Sequence, residues 1–250
     1  MPNLTIFAGP NGSGKSTIKE GVGQSLPNLG FYVNADEVEI ALRQKLQISF
    51  SDFGIKATLD SFVDFYNGSS WKRERFDSLF NKENQTEITI SSNVLHLKPE
   101  WVGGYTAAII CDFIRHELIG SKQDFSFETV MSHVSKVLIL EKAKKAGYVV
   151  NLIFVTTNHP DINVKRVKYR VAQGGHDVPE QKIRERYYRC MELLYDVFLL
   201  ADTAYLYDNS ENAAASYEDK LVAQKIGKQI ILGKYAFDWF EEWVLNKLPK

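Results

Sequence analysis

Along this chain, short apolar runs alternate with stretches in which apolar residues recur every three or four positions. The runs at Leu4–Ala8, Gly30–Val33, Phe125–Glu128, Tyr148–Val155 and Thr203–Tyr207 predict strands, and the spacing after each of the first four predicts a helix. Strands that are apolar throughout, with helices between them, imply a parallel sheet covered on both faces, because each face then lies against a helical layer. The expected fold class is therefore α/β. The longest apolar run, Val149 to Val155, is broken by Asn151 and falls well short of the roughly 20 residues that span a membrane. It reads as a buried strand. Only two residues separate Met1 from the next strand candidate at Leu4, which leaves no room for the charged leader and apolar core of a secretion signal.

Between Ser49 and Gly104 the pattern loosens, with turn signals at Asn67-Gly68-Ser69-Ser70 and Gly103-Gly104. The segment from about 50 to 103 is expected to be an insertion in a single domain spanning 1–250. It carries Phe50, Phe53, Phe62, Phe65, Tyr66, Trp71, Phe76, Phe80 and Trp101, too much aromatic surface to remain solvated, so it should pack against the main body. Near the C-terminus, Ala214 to Leu232 suggests a hairpin turning at Gly227, and Tyr235 to Leu248 an amphipathic closing helix.

Composition narrows the partners. With 250 residues, 44% hydrophobic and 24% charged, the chain is neither disordered, collagenous nor a coiled coil. Thirty basic residues against 31 acidic ones create no global field that would recruit nucleic acid or a membrane surface, so neither is expected as a partner and any anion must be gathered locally. Two cysteines, Cys111 and Cys190, make no disulfide framework and suit a reducing, cytoplasmic compartment.

Gly9-Pro10-Asn11-Gly12-Ser13-Gly14-Lys15-Ser16 satisfies the P-loop pattern at every required position, between an apolar strand and a helix. That context suits the chemistry. Glycines let consecutive backbone N–H groups converge on phosphate oxygens, and the helix adds the positive end of its dipole. Gly9, Asn11, Gly12, Ser13, Gly14, Lys15, Ser16 and Thr17 are thus the expected nucleotide-binding residues, with Lys15 on the β and γ phosphates and Ser16 on Mg²⁺. The guanine-reading Asn-Lys-x-Asp set is lacking, since Asn81-Lys82-Glu83-Asn84 ends in the wrong residue. ATP is the expected nucleotide.

Ligands of open parallel sheets bind beyond the carboxyl ends of the strands, which makes the polar residues just past each strand candidates for chemistry. Phe31-Tyr32-Val33 runs into Asn34-Ala35-Asp36, and Asp36 is expected to orient a substrate hydroxyl and take its proton. Helix capping is its competing role. Phe125-Ser126-Phe127 likewise delivers Glu128 and Thr129 to the rim, where they could orient Mg²⁺ or substrate.

From Asp161 to Arg189 eight cationic side chains, Lys165, Arg166, Lys168, Arg170, Lys182, Arg184, Arg186 and Arg189, oppose four acidic ones. On a helix from Asn163, Val164, Val167 and Val171 form the apolar stripe, leaving Arg166 and Arg170 together on another face. Gly174-Gly175 breaks the helix, Pro179 restarts it, and Ile183, Tyr187, Cys190, Met191 and Leu194 share the next stripe. Residues 161–189 are expected to form a basic lid that closes on the triphosphate, stabilises the moving charge and expels water. For a single lysine, a solvated basic face paired with carboxylates is the plainer expectation. His176 is expected to bond within its turn.

Gly9 to Thr17, Asn34-Ala35-Asp36, Phe127-Glu128-Thr129-Val130-Met131-Ser132-His133 and Arg-Val-x-x-Arg-Val-x-x-Gly-Gly-His-x-Val-Pro within 163–189 together resemble the zeta-toxin-like P-loop kinases. The resemblance covers roughly residues 1–45 and 105–210. It implies ATP- and Mg²⁺-dependent phosphorylation of a hydroxyl, in the best-known members the 3′-hydroxyl of UDP-N-acetylglucosamine, by a toxin held by an antitoxin protein. By position it assigns Lys15 and Ser16 to phosphate and Mg²⁺, Asp36 to the acceptor, and Glu128 and Thr129 to the substrate side. Arg166 and Arg170 become the candidate charge-stabilising arginines, with Arg184 or Arg186 able to fill one role. The 50–103 segment departs from compact relatives where a substrate pocket would be built, and there Tyr66, Trp71 and Trp101 are candidates for stacking on a base or sugar, against simple core roles. Other metabolite hydroxyls, and a partner-regulated ATPase switch, remain alternatives.

Overall fold

An apolar hexapeptide opens the chain as β1 (Asn3–Ala8), buried from Leu4 onward, and α1 (Lys15–Val22) begins at the lysine that succeeds the last P-loop glycine. The computed structural model describes residues 1–22, 29–68, 88–175, 177–210 and 216–249. The chain divides into two compact units, Met1–Gly30 with Ser126–Lys250, and Phe31–Phe125.

The second unit contains β2 (Phe31–Val33), α2 (Ala35–Lys45), β3 (Gln47–Ser49), α3 (Leu59–Asn67), β4 (Thr89–Ser91), β5 (Val94–His96) and α4 (Gly104–Gly120). Strands β3, β5 and β4 pair in that order as a small antiparallel sheet. The aromatics expected to need cover find it on α4. Phe113 takes Phe50, Phe62 and Phe65 edge-on at centroid distances of 5.4, 5.0 and 5.4 Å, the geometry that sets one ring's positive edge on another's face. Tyr66 is buried core rather than a stacking platform, Trp101 is half-buried, and Trp71, Phe76 and Phe80 lie outside the described residues.

The first unit resumes with β6 (Phe125–Thr129), α5 (Ser135–Lys145), β7 (Val149–Thr156), α6 (Pro160–Ala172), α7 (Glu180–Leu200), β8 (Thr203–Asp208), α8 (Tyr217–Lys220), β9 (Leu221–Ile226), β10 (Gln229–Leu232) and α9 (Asp238–Trp243). Its strands stand in the order β10-β9-β8-β7-β1-β6. Parallel register pairs Ala8 with Phe154 and Thr156 with Asp208, so the loops after β1, β7 and β8 leave from one edge of the sheet. That edge is where ligands of such sheets gather.

Three boundaries differ from the expected ones. The lid's first helix starts at Pro160 rather than Asn163, because His159 caps it by accepting the N–H of Asp161 and Pro160 suits the first turn. The hairpin does turn at Gly227, in the left-handed region at φ 58, but a short helix, α8, leads into it. The closing helix reaches only Trp243, since Val244, fully buried, leaves helical geometry at φ −126, and a single 3₁₀ turn succeeds it.

Candidate phosphate-binding site

Two glycines of the P-loop occupy conformations closed to other residues. Gly12 and Gly14 sit at φ 75 and 87, and a β-carbon on either would lie 2.6 Å from the Asn163 carbonyl oxygen or 2.2 Å from Asn209 Nδ2. The same two asparagines hold the loop. Buried Asn163 donates from Nδ2 to the Asn11 carbonyl at 2.7 Å while its Oδ1 accepts from the Thr157 hydroxyl, and buried Asn209 donates to the Ser13 carbonyl at 2.8 Å. Asn209 is itself fixed through its N–H to the Thr156 carbonyl at 2.8 Å. Among the described residues nothing accepts from the N–H groups of Gly12 and Gly14, which leaves them open as an anion cradle requires. Neither asparagine belongs to a recognisable motif. The available signal was a polar residue at a core-facing helix position, Asn163 directly before Val164.

Lys15 is 7% exposed and donates to the carbonyls of Gly9 at 3.1 Å and Pro10 at 3.0 Å, with Glu128 Oε1 3.9 Å away. A buried ammonium costs free energy unless satisfied, so the lysine bonds the loop's own oxygens. Exposed Ser16 donates to Glu128 Oε2 at 3.4 Å, joining the residues expected from two separate motifs. A hydroxyl beside a carboxylate offers hard oxygen donors that fit Mg²⁺, a cation that usually keeps waters and phosphate oxygens as well. Thr17 is exposed on α1, and Thr129 turns its hydroxyl to the Val130 carbonyl at 3.4 Å.

The arginines of α6 and α7 fall into distinct environments. Val164, Val167, Val178 and Ile183 cluster with Val171 to pack α6 on α7. Arg184 pairs with Asp161 at 2.6 Å and Glu180 at 2.8 Å, which hold its pKa above the ordinary value, so this side chain ties the two helices together. Arg186 instead reaches the P-loop, donating to Asn11 Oδ1 at 3.3 Å. Arg166 is half-buried, and its enclosed Nη1 has no hydrogen-bond partner among the described residues. Burial lowers its pKa, partly offset by Asp208. Arg170 is exposed, with its stem against the backbone of Gly175. His176 lies outside the described residues.

Within the second unit, the capping role that competed for Asp36 belongs to Asn34. Its Oδ1 accepts the Asp36 N–H at 2.8 Å, and its Nδ2 donates to the Tyr32 hydroxyl at 3.0 Å. The Asp36 carboxylate is thereby left exposed in the first turn of α2, where the helix dipole favours negative charge. Asn34 and Glu37, near Asp36 in the chain, line a groove of about 330 Å³ with Tyr32, Lys45, Asp52 and Phe53 among others, and Asp36 is not itself in that lining.

A mostly parallel sheet, a glycine loop entering a helix and an arginine-bearing helix pair define an α/β P-loop fold of the kinase type. Known proteins resemble this chain in part. The zeta toxin family model matches residues 106–220. An uncharacterized protein of Haemophilus influenzae is 33% identical over 72 residues, 29% of this chain and 51% of that protein, so the chain matches about half the length of that curated relative. Among solved structures, AvrRxo1-ORF1:-ORF2 with ATP matches at TM-score 0.54 and 15% identity over 100% of this chain and 65% of that one. A structure from the PezAT chromosomal toxin-antitoxin system of Streptococcus pneumoniae matches at TM-score 0.50 and 12% identity, covering 100% and 81%. At these identities the structures speak to the fold. The resemblance to zeta-toxin-like P-loop kinases rests on the family match together with that fold.

Proposed function

We propose that this chain is an ATP-dependent kinase that phosphorylates a small-molecule hydroxyl, with the 3′-hydroxyl of UDP-N-acetylglucosamine as acceptor, and that it acts as a zeta-type toxin restrained by an antitoxin. The observation that carries this reading is the P-loop itself, pinned by two buried asparagine amides, with the Gly12 and Gly14 N–H groups bonded to no described residue. On binding ATP, Lys15 exchanges the Gly9 and Pro10 carbonyls for phosphate oxygens. Arg186, already on Asn11, and Arg166, whose enclosed Nη1 lacks a partner among the described residues, supply charge to the moving phosphoryl group. Ser16 and Glu128 would hold Mg²⁺, which neutralises charge on the phosphates when bound. The acceptor oxygen forms its bond to the γ phosphorus as the bond to the bridging oxygen breaks, ADP leaves, and Asp36 takes the hydroxyl proton. Cys111 and Cys190, both buried and outside any disulfide, suit a cytoplasmic setting.

One observation favours a second acceptor. The groove lined by Asn34 and Glu37 carries Glu37 and Asp52 against Lys45, a balance better suited to an uncharged polyhydroxyl group than to a diphosphate. Incubation with ATP, Mg²⁺ and UDP-N-acetylglucosamine should yield a product heavier by one phosphate by mass spectrometry, and Asp36→Ala should abolish it while leaving ATP affinity within a few fold. ADP formation that ignores this sugar but responds to another metabolite supports the second acceptor. Hydrolysis that responds only to a protein partner removes the kinase reading.

A further inference from the structure

Asn11 stands where the P-loop meets both arginine-bearing helices. The Ser13 N–H donates to the Pro10 carbonyl at 3.3 Å, which closes a turn with Asn11 and Gly12 at its corner. Both oxygens of Asn11 are engaged, and by different helices. Its main-chain carbonyl accepts from Asn163 of α6 at 2.7 Å, while its side-chain oxygen accepts from Arg186 Nη1 of α7 at 3.3 Å. A further tie fixes α7 beside them. The hydroxyl of buried Tyr187, the residue after Arg186, donates at 2.6 Å to the carbonyl of Thr157, whose own hydroxyl donates to Asn163 Oδ1. Asn11, Asn163, Thr157, Tyr187 and Arg186 therefore close a ring of hydrogen bonds and chain neighbours between the loop and the two helices.

This ring sets Arg186 at one end of the phosphate cradle. The lysine of a P-loop serves the β and γ phosphates, and the Lys15 ammonium bonds the Gly9 and Pro10 carbonyls, so the end of the loop beside Asn11 is the γ end. Burial raises the pKa of the Cys190 thiol while Lys15 and Arg186 both pull it down, so the two cations stand near the same buried residue. Among the described residues Arg186 bonds only Asn11, whereas Arg184, two residues earlier, is spent on Asp161 and Glu180. A guanidinium carries five N–H donors, so one bond to a neutral amide leaves the rest, and the full charge, for phosphate oxygens. We propose that Asn11 is a positioning residue whose side-chain amide holds Arg186 at the γ end of the cradle before the nucleotide arrives. Ordering a free arginine costs rotamer entropy at the moment of binding, and the amide shifts that cost to folding. The assignment rests on the kinase reading of the P-loop and deepens it, since the loop motif leaves the identity of this residue open.

Calorimetry on the full chain, with Mg-ATP and Mg-ADP in parallel, tests this through a double-mutant cycle. Arg186→Gln should weaken Mg-ATP about tenfold or more and Mg-ADP less than about twofold. Asn11→Ala, acting through the arginine, should weaken Mg-ATP about threefold or more and leave Mg-ADP within about twofold, which also shows that the variant is folded. The two changes together should weaken Mg-ATP no further than Arg186→Gln alone. Unaltered Mg-ATP affinity in Asn11→Ala, losses that multiply in the double variant, or an Asn11→Ala loss equal for both nucleotides overturns the positioning role while sparing the phosphate cradle. Wild-type protein that binds neither nucleotide overturns the kinase reading and this role with it.

Discussion

Asn163 and Asn209 achieve with side chains what glycine spacing alone cannot, since a flexible loop must be held in one shape before its donors converge. Each removes a carbonyl from competition and blocks a β-carbon at a neighbouring glycine. Gly14→Ala is therefore expected to fail twice, through a left-handed φ that costs about 1–2 kcal/mol for an L side chain and through overlap with Asn209 Nδ2 at 2.2 Å. Nucleotide binding by calorimetry should be lost while circular dichroism still shows a folded chain. A variant that binds normally would mean the loop is not held as described. The glycines, Lys15 and Ser16 were legible in the sequence because the motif encodes local backbone geometry. The asparagines were not, because their partners are about 150 and 200 residues away in sequence, contacts that no local pattern records.

Helices α6 and α7 show how one basic segment divides its labour. Apolar spacing named Val164, Val167 and Val171 on one helix and Ile183 on the next, and these pack together with Val178, which the spacing did not name. Charge counting could not say which arginines serve structure, because that depends on where the turn between the helices places each guanidinium. Arg184 is spent on Asp161 and Glu180, whereas Arg186 meets the P-loop. Arg186→Gln should lower kcat by about a hundredfold or more, the usual scale for a lost charge stabiliser. Exposed ion pairs contribute little, so Arg184→Gln should change kcat by less than about threefold and leave the melting temperature nearly unchanged. Steady-state kinetics on the two variants checks the division, and the reverse ranking would refute it. At the far end of α7, buried Lys225 of β9 donates to the carbonyls of Phe198 at 2.8 Å, Leu199 at 3.0 Å and Ala201, satisfying a helix end that no capping motif in the sequence announced.

Across the whole molecule, the interior sets a limit on alkaline stability. Burial pushes the Cys190 thiol from its ordinary 9.0 up to about 12, against the opposing pull of Lys15 and Arg186, and raises Tyr187 and Tyr207 from 10.0 to about 12. In the unfolded chain the thiol ionises as pH passes about 9, while the folded chain keeps the proton until about 12, so the unfolded state binds fewer protons in that window. Stability from this group is full below about pH 9 and is lost as pH rises toward about 12. Cys190→Ala should therefore show a shallower fall of Tm between about pH 9 and 11 than the parent chain. Parallel slopes would show that the thiol does not contribute. The α/β class, the five strand candidates, the glycine loop and the two basic helices could be read from the chain without coordinates, because each is written in local periodicity or in a contiguous motif, whereas the small β3-β5-β4 sheet could not. Which groups meet is settled by the fold. Ser16 beside Glu128, the asparagine braces and Arg186 on Asn11 all arise when distant segments leave one edge of a parallel sheet together, and that convergence depends on strand order, which no stretch of sequence states.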